Sequence, residues 1–212
     1  MCAKVCFPKK AQHFPNVYPA RLDNYLASQQ PDFVDRMVDV IQKSGVEIIS
    51  PQHSGDFYDQ LYLDAWGEIL RRLPERGLFV YTKSLDLDLT PLTRLRNATV
   101  IKSFGGKFDQ LIDESKDDYA KVVTKIDPKT VKSGEFVCPA IRLGNDESEK
   151  FCGNLCHYCT GFDPKTGRRH GVRVVFLEKT AGRNGSSFIP KNAPPPSPRP
   201  QVTPTLSGGT TV

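Results

Sequence analysis

Apolar positions recur with two different periods along the first half of the chain. From Arg21 to Lys43, Leu22, Tyr25, Leu26, Phe33, Met37, Val40 and Ile41 return at helical spacing, with Pro31 starting a second helix after a break and Gly45 ending it. The β-branched run Val46 to Ser50 has the composition of a short buried strand, followed by the loop "QHSGDF". A helix is predicted over Tyr62 to Leu73, with Leu63, Trp66, Ile69, Leu70 and Leu73 on one face and Pro74 and Gly77 closing it. "LFVYTKS" reads as the next strand. "TPLTRLRN" reads as a short helix with Thr90 as N-cap and Pro91 at its first position, and "ATVIKSFGG" as a third strand ending in glycines.

Strands alternating with helices predict an α/β fold, either a partial (βα) barrel or an open parallel sheet wrapped by helices. Such sheets bind ligands at the carboxyl ends of their strands. Those ends carry His53, Ser54, Gly55, Asp56 and Phe57 after the first strand, Thr82, Lys83 and Ser84 after the second, and Ser103, Gly105 and Gly106 after the third. Each loop alone has ordinary turn composition. On a single rim they form a candidate pocket for a small molecule, in which glycines admit close backbone approach and Asp56 could take an ammonium or hydroxyl group.

Composition divides the rest. Residues 1–130 form the α/β core, 131–179 a cysteine-rich segment, and 180–212 a Pro, Ser, Gly and Thr tail with little to bury, expected to be disordered. Its prolines at 194–196 and "SPRP" could dock a groove that reads polyproline helices. The 212 residues carry a net charge of +5, with 29 basic and 24 acidic residues interspersed, which permits an anionic partner without demanding one. No apolar run approaches the roughly 20 residues that cross a bilayer, and the N-terminus lacks a signal-peptide core. A reducing cytoplasm is therefore expected, where clustered cysteines act as metal ligands or redox groups more often than as disulfides.

Three of the six cysteines fall in "KFCGNLCHYCTG": Cys152, Cys156 and Cys159. Cys138 lies a short loop upstream, and Cys2 and Cys6 open the chain. Four thiolates can complete a tetrahedral zinc site or hold an iron–sulfur cluster, and Gly153 and Asn154 permit the turn that would aim the sulfurs inward. His157, adjacent to Cys156, fits a supporting role better than ligation. The interval Cys-x3-Cys-x2-Cys is the spacing used by radical S-adenosylmethionine enzymes for a 4Fe-4S cluster. Here it follows the last clear helix, the usual place of an auxiliary cluster or a zinc ribbon.

The order of a "CAKVCF" loop, the helix "ARLDNYLASQQPDFVDRMVDVI", a strand, "HSGDFYDQLYLDAWGEIL", "FVYTKS" and the cysteine tail resembles the phage and plasmid gene product 88 family over residues 2 to about 160. Matching positions include Arg21, Asn24, Asp32, Phe33, Ser54 to Phe57, Tyr81 to Ser84, Pro139 and all six cysteines. The resemblance implies a trimmed radical-SAM-like core, with "SGD" in place of the loop that grips the cofactor's amino group. Relatives carry a further cysteine ahead of Cys2, which implies a shortened N-terminus here and, if so, a catalytically dead copy.

Two functions follow as expectations. The first is a cytoplasmic iron–sulfur protein of a phage or mobile element in a bacterial host, with Cys2, Cys6, Cys138, Cys152, Cys156 and Cys159 as cluster ligands. Ser54, Gly55, Asp56, Thr82, Lys83, Ser84, Ser103 and Gly105 would then bind a small cofactor such as S-adenosylmethionine. The second is a non-catalytic zinc module built on the tetrad Cys138, Cys152, Cys156 and Cys159. Its hairpin, turning at Asp163 to Gly167 and including the strand Val172 to Leu177, would present Arg168, Arg169, His170 and Arg173 to nucleic acid. A nucleophilic cysteine, Cys2 or Cys6 with His13 or His53, has no sequence feature bringing thiol and base together. Phosphate loops, helical metal-binding histidine pairs and serine elbows are missing from the sequence.

Overall fold

The helical run of residues 21–43 folds as two helices in the computed structural model, which describes residues 14–52, 55–123, 129–138, 156–162 and 169–177. Helix α1 spans Val17–Ser28 and α2 Phe33–Ser44, the latter stopped by Gly45 in the left-handed conformation at φ +69°. Helix α1 buries none of its residues, so the stripe Leu22, Tyr25 and Leu26 stays exposed. Helix α2 buries Val38 and Ile41.

Strand β1 is only Ile48–Ile49, shorter than the expected 46–50, and Ile48 is 43% exposed because β1 lies at the sheet edge. Helix α3 runs Gln60–Arg72, starting earlier than its apolar pattern because the Asp59 side chain accepts a hydrogen bond from Tyr62 N and caps it. Strand β2 (Gly77–Thr82), the short helix α4 (Thr90–Thr93) and β3 (Ala98–Ser103) follow. Thr90 is not the N-cap of α4: Leu89 holds that position, and the Asp88 carboxylate two residues upstream accepts from Thr90 N at 2.9 Å. Strand β4 is Tyr119–Val123, β5 Phe136–Val137 and β6 Arg173–Leu177.

The six strands form an open, wholly parallel sheet in the order β1-β2-β3-β4-β6-β5. Strand β6 is therefore an interior strand between β4 and β5 rather than one arm of a hairpin. An antiparallel bridge between Phe162 and Arg169 lies just ahead of it. Residues on both sides of position 130 thus contribute to one sheet. Residues 1–179 group as one compact unit, and the tail 180–212 lies outside the described residues. Among the described residues no helix is long and apolar enough to cross a membrane.

Interior parallel strands are buried on both faces, and the side-chain alternation of β2 and β3 separates two cores. Leu78, Val80, Ala98 and Val100 face one core with Leu63, Trp66, Ile69 and Leu70 of α3 and Leu92 of α4. Tyr81 and Ile101 face the other, with Ala120, Cys138, Val172 and Val174, against which Tyr158 and Cys159 pack. A one-turn 3-10 helix, Tyr158–Thr160, covers this second face. It is held there by Thr99 Oγ1 donating to Thr160 O at 2.7 Å and by Phe136 stacking on Tyr158 at 4.1 Å. On the first face beyond β3, Glu135 is almost wholly buried and accepts from Tyr119 Oη at 2.6 Å and Lys121 Nζ at 2.7 Å. Burial alone would raise its pKa, but the bonds from Lys121 and Tyr119 hold it below the ordinary carboxylate value.

Gly161 sits where this covering segment meets β3. Its φ is +71°, and an added Cβ would lie 2.6 Å from Thr99 Oγ1. Gly134, at φ +85°, has no atom within 4 Å of that position. Gly161→Ala is expected to lower the unfolding free energy by about 2–4 kcal/mol, against about 1 kcal/mol for Gly134→Ala. Urea denaturation of both variants reads the difference, and equal losses would mean that the segment does not pack on β3.

Candidate functional site

The loops after β1, β2 and β3 meet on one rim, and a carboxylate ties the first two together. Asp56 Oδ1 accepts from Thr82 Oγ1 at 2.6 Å and from Phe57 N at 2.8 Å, while Oδ2 accepts from Lys83 N at 2.7 Å. Ser84 Oγ donates to Phe57 O at 2.7 Å, a second tie between the same two loops. Lys83 Nζ then crosses to the third, donating to Ser103 Oγ at 3.1 Å and to the Phe104 carbonyl. There the Asp109 carboxylate accepts from Gly105 N at 2.9 Å and Gly106 N at 2.8 Å. Of the expected small-molecule residues, Gly55, Asp56, Thr82, Lys83, Ser84, Ser103 and Gly105 are thus brought to the carboxyl end of the sheet. Ser54 and His53 lie outside the described residues. The bonds Asp56 accepts are internal to the protein, so its carboxylate acts first as a loop tie and not as an open receptor.

Beside this rim, the loop after β1 and helices α1, α2 and α3 enclose a cleft of about 660 Å³. Gly55 and Asp56 form part of its wall. Five aromatic rings line it: Tyr58 stacks on Tyr62 at 4.6 Å, Tyr25 meets Tyr58 edge-on at 5.0 Å, and Phe33 and Tyr62 both lie edge-on to Trp66. Ser28 Oγ and Gln29 Nε2 bond the Tyr58 hydroxyl at 2.8 and 2.9 Å, so that ring ties α1 to the body.

Two donors of residues that line the cleft, Trp66 Nε1 and Gln52 Nε2, are closed off from it and lie beside the Tyr62 hydroxyl without completing a hydrogen bond. Burial raises the pKa of the nearby Tyr62 hydroxyl, and the pull of these same two N–H groups on its oxygen lowers it less than burial raises it. Neither donor completes a hydrogen bond with that oxygen. A buried donor left unmade is costly, and native proteins pair such groups with protein, water or ligand. Arg21, Asn24 and Phe33, all at positions of the family resemblance, line the same cleft with Arg36. Sequence reasoning missed Gln52, Tyr58, Tyr62 and Trp66 as site residues. The spacing Tyr58, Tyr62, Trp66 repeats every fourth position, which reads equally well as a helical core stripe.

Three of the six cysteines are among the described residues. Cys138, just past β5, is buried, and Cys159 on the 3-10 helix packs into the same apolar cluster. Cys156 is half-buried. Cys2, Cys6 and Cys152 lie outside the described residues, as does His13. Among the described residues no group of three or more His, Cys, Asp or Glu side chains converges on a possible ion position. The described thiols therefore do not by themselves make up the expected metal tetrad.

The described basic residues expected to meet nucleic acid, Arg169, His170 and Arg173, make contacts within the protein. Arg169 donates to Ala98 O at 2.8 Å, and its guanidinium lies over the Phe162 ring at 5.5 Å. Arg173 donates to Ser115 O at 3.0 Å, and His170 Nε2 lies 2.9 Å from Tyr158 O. Arg168 lies outside the described residues.

A family model described as gene product 88 matches residues 1–159. No curated protein and no solved structure matches the chain.

Because Asp56 holds two loops at once, Asp56→Asn turns an N–H group toward one of its three donors and leaves that donor unmade. A loss of about 1–3 kcal/mol in unfolding free energy is expected. Thermal and urea unfolding measure it. Unchanged stability would show that the three bonds do not hold the rim.

Proposed function

The chain belongs to the gene product 88 family, and from that premise we propose that it is a phage or mobile-element protein that captures a small molecule in the aromatic cleft beside the strand-end rim. The observation that carries this is the cleft itself, walled by the rings of Tyr25, Phe33, Tyr58, Tyr62 and Trp66 together with polar side chains. Ligand sites are concave and mostly apolar, with a few convergent polar groups that fix orientation. The cleft has these attributes, and its volume of about 660 Å³ suits a ligand of a few rings. It also lies at the carboxyl end of a parallel sheet, where α/β proteins place their ligands.

Binding requires a wall that keeps its shape, and the elements around the cleft supply one. Helix α3 presents Tyr62 and Trp66 one turn apart and is itself packed on β2 and β3 through Leu63, Ile69 and Leu70. The loop carrying Gln52 and Gly55 is anchored at Asp56 to Thr82 and Lys83. Trp66 is the single tryptophan of the chain, so it yields one indole N–H resonance. Adding pooled, deproteinised extract of host cells is expected to move that resonance for at least one pool. A resonance indifferent to every pool would end this proposal.

We also propose a metal-binding role for the cysteines, as zinc or an iron–sulfur cluster, supported by Cys138 and Cys159 meeting in one apolar cluster. Thiolate ligands held in an apolar shell are typical of both groups. Cys152, Cys156, Cys2 and Cys6 would supply the remaining ligands. Protein purified anaerobically is expected to contain stoichiometric zinc or iron, lost in Cys138→Ser and Cys159→Ser. Metal-free protein whose melting temperature is unmoved by added zinc, or by iron with sulfide, would defeat this role.

A further inference from the structure

We infer that helix α1 is a self-association surface, packing its apolar stripe against the same stripe of a second copy of this chain. A surface helix normally turns its large apolar side chains to the body and its polar ones to water. Helix α1 does the reverse. Its half-buried positions, Val17, Ala20, Arg21, Ala27 and Ser28, recur along one face and are mostly small residues. Tyr18, Leu22 and Leu26, each one turn from the next, are 59%, 43% and 50% exposed, with Phe14 a turn ahead at 54% and Tyr25 beside them at 48%.

Stability calls for a partner that is always present. Helix α1 has 12 residues and buries none of them. A helix of that length is marginal in water by itself, and most helical stability in proteins comes from packing an apolar face. The Tyr58 hydroxyl, bonded by Ser28 and Gln29, holds the carboxyl end of α1 to the body and leaves the exposed stripe uncovered. A second copy is present wherever the first is, and it brings an equal stripe.

Area and charge favour the same occupant. At half exposure, side chains of this size present roughly 100 Å² each, so the five make an apolar patch on the order of 500 Å² per copy. Two such patches meeting reach the roughly 1,000 Å² of a specific interface. Across a two-fold axis the same patch serves on both sides, the usual form of a homodimer contact. The charged residues of α1 are Arg21 and Asp23, so the helix has no net charge to draw it to anionic lipid headgroups. Helix α1 also carries Asn24, Tyr25, Ala27 and Ser28 of the cleft wall, so pairing would steady one side of the cleft. Leu22 is not among the residues lining the cleft, and the pairing stands whether or not a ligand is captured there.

Sedimentation equilibrium of the full chain between about 1 and 100 μM, a range spanning ordinary dimer affinities, tests this. The unmodified protein is expected to approach twice the chain mass. Leu22→Glu is expected to weaken association about a hundredfold or more, because the substitution occurs twice across a two-fold interface. Leu111→Glu, at a half-exposed leucine outside α1, is expected to leave the mass unchanged. Glutamate is a good helix former, and circular dichroism with urea unfolding checks that both variants fold. A second measurement needs no variant: amide hydrogen exchange over residues 17–28 is expected to slow as protein concentration rises.

A protein still monomeric at the highest concentration, a dimer that Leu22→Glu leaves intact, or exchange in α1 that ignores concentration would each overturn the inference. So would a monomer that sediments with vesicles of phosphatidylcholine and phosphatidylserine and loses that binding in Leu22→Glu, since the stripe would then meet lipid. The reading of the cleft is judged separately, by the response of the Trp66 indole to host extract. A dimer with an unresponsive indole keeps this inference and ends that reading, and a monomer with a responsive indole does the opposite.

Discussion

The structure depends on the parallel pairing of β2 with β3, because these two strands are covered on both faces. Leu78 pairs with Ala98, and the register continues through Val80 with Val100 and Tyr81 with Ile101. Since parallel partners point the same way, the alternation places Leu78, Val80, Ala98 and Val100 against the helices and Tyr81 and Ile101 against the second core. A shift of one residue would exchange the two sets and place Thr99, whose hydroxyl bonds the Thr160 carbonyl, against α3 instead. The register is therefore held from both sides, by helix packing on one and by the 3-10 segment on the other.

That register also sets the candidate site. Pairing of β2 with β3 brings Thr82 beside Lys102, which places Lys83 within reach of Ser103 and Phe104. Asp56 then draws the loop after β1 onto the end of β2 through Thr82 and Lys83. The same helix that fills the first core with Leu63 and Ile69 turns Tyr62 and Trp66 toward the cleft. Trp66 belongs to that core and Tyr62 packs against it, so the cleft runs along the edge of the core, and the rim bonds hold the loop beside it. The aspartate in the glycine loop lines the cleft and also ties two loops through the three hydrogen bonds it accepts. One of the buried donors without a partner, Trp66 Nε1, belongs to a residue that sequence reading takes for core.

Much of this was legible. The helices over 17–44, α3, the strands β2 and β3, and the gathering of "SGDF", "YTKS" and "SFGG" at corresponding strand ends follow from apolar periodicity and turn chemistry. Strand β4 escaped because "YAKVV" follows the charged run "DESKDD", and its partner β6 lies some fifty positions on. Strand β6 reads from sequence as extended but as one arm of a hairpin, since the basic turn before it is the local signal and its neighbours β4 and β5 are distant in sequence. The aromatic cleft was invisible for a related reason: Tyr58, Tyr62 and Trp66 obey the helical rule for a buried stripe, and nothing local says that part of that stripe faces a void.

The sequence by itself determined the main helices, the strands β2 and β3, and that three polar loops follow three strands, because those properties depend on residues within a few positions of one another. Tertiary structure decided what each polar group would meet. The bonds that Asp56 accepts from Thr82 and Lys83, the Ala98 carbonyl that Arg169 meets, and the packing of Trp66 at the edge of core and cleft depend on chain segments many residues away. Hydrogen bonding and burial are settled by neighbours in space, and local sequence carries no record of them.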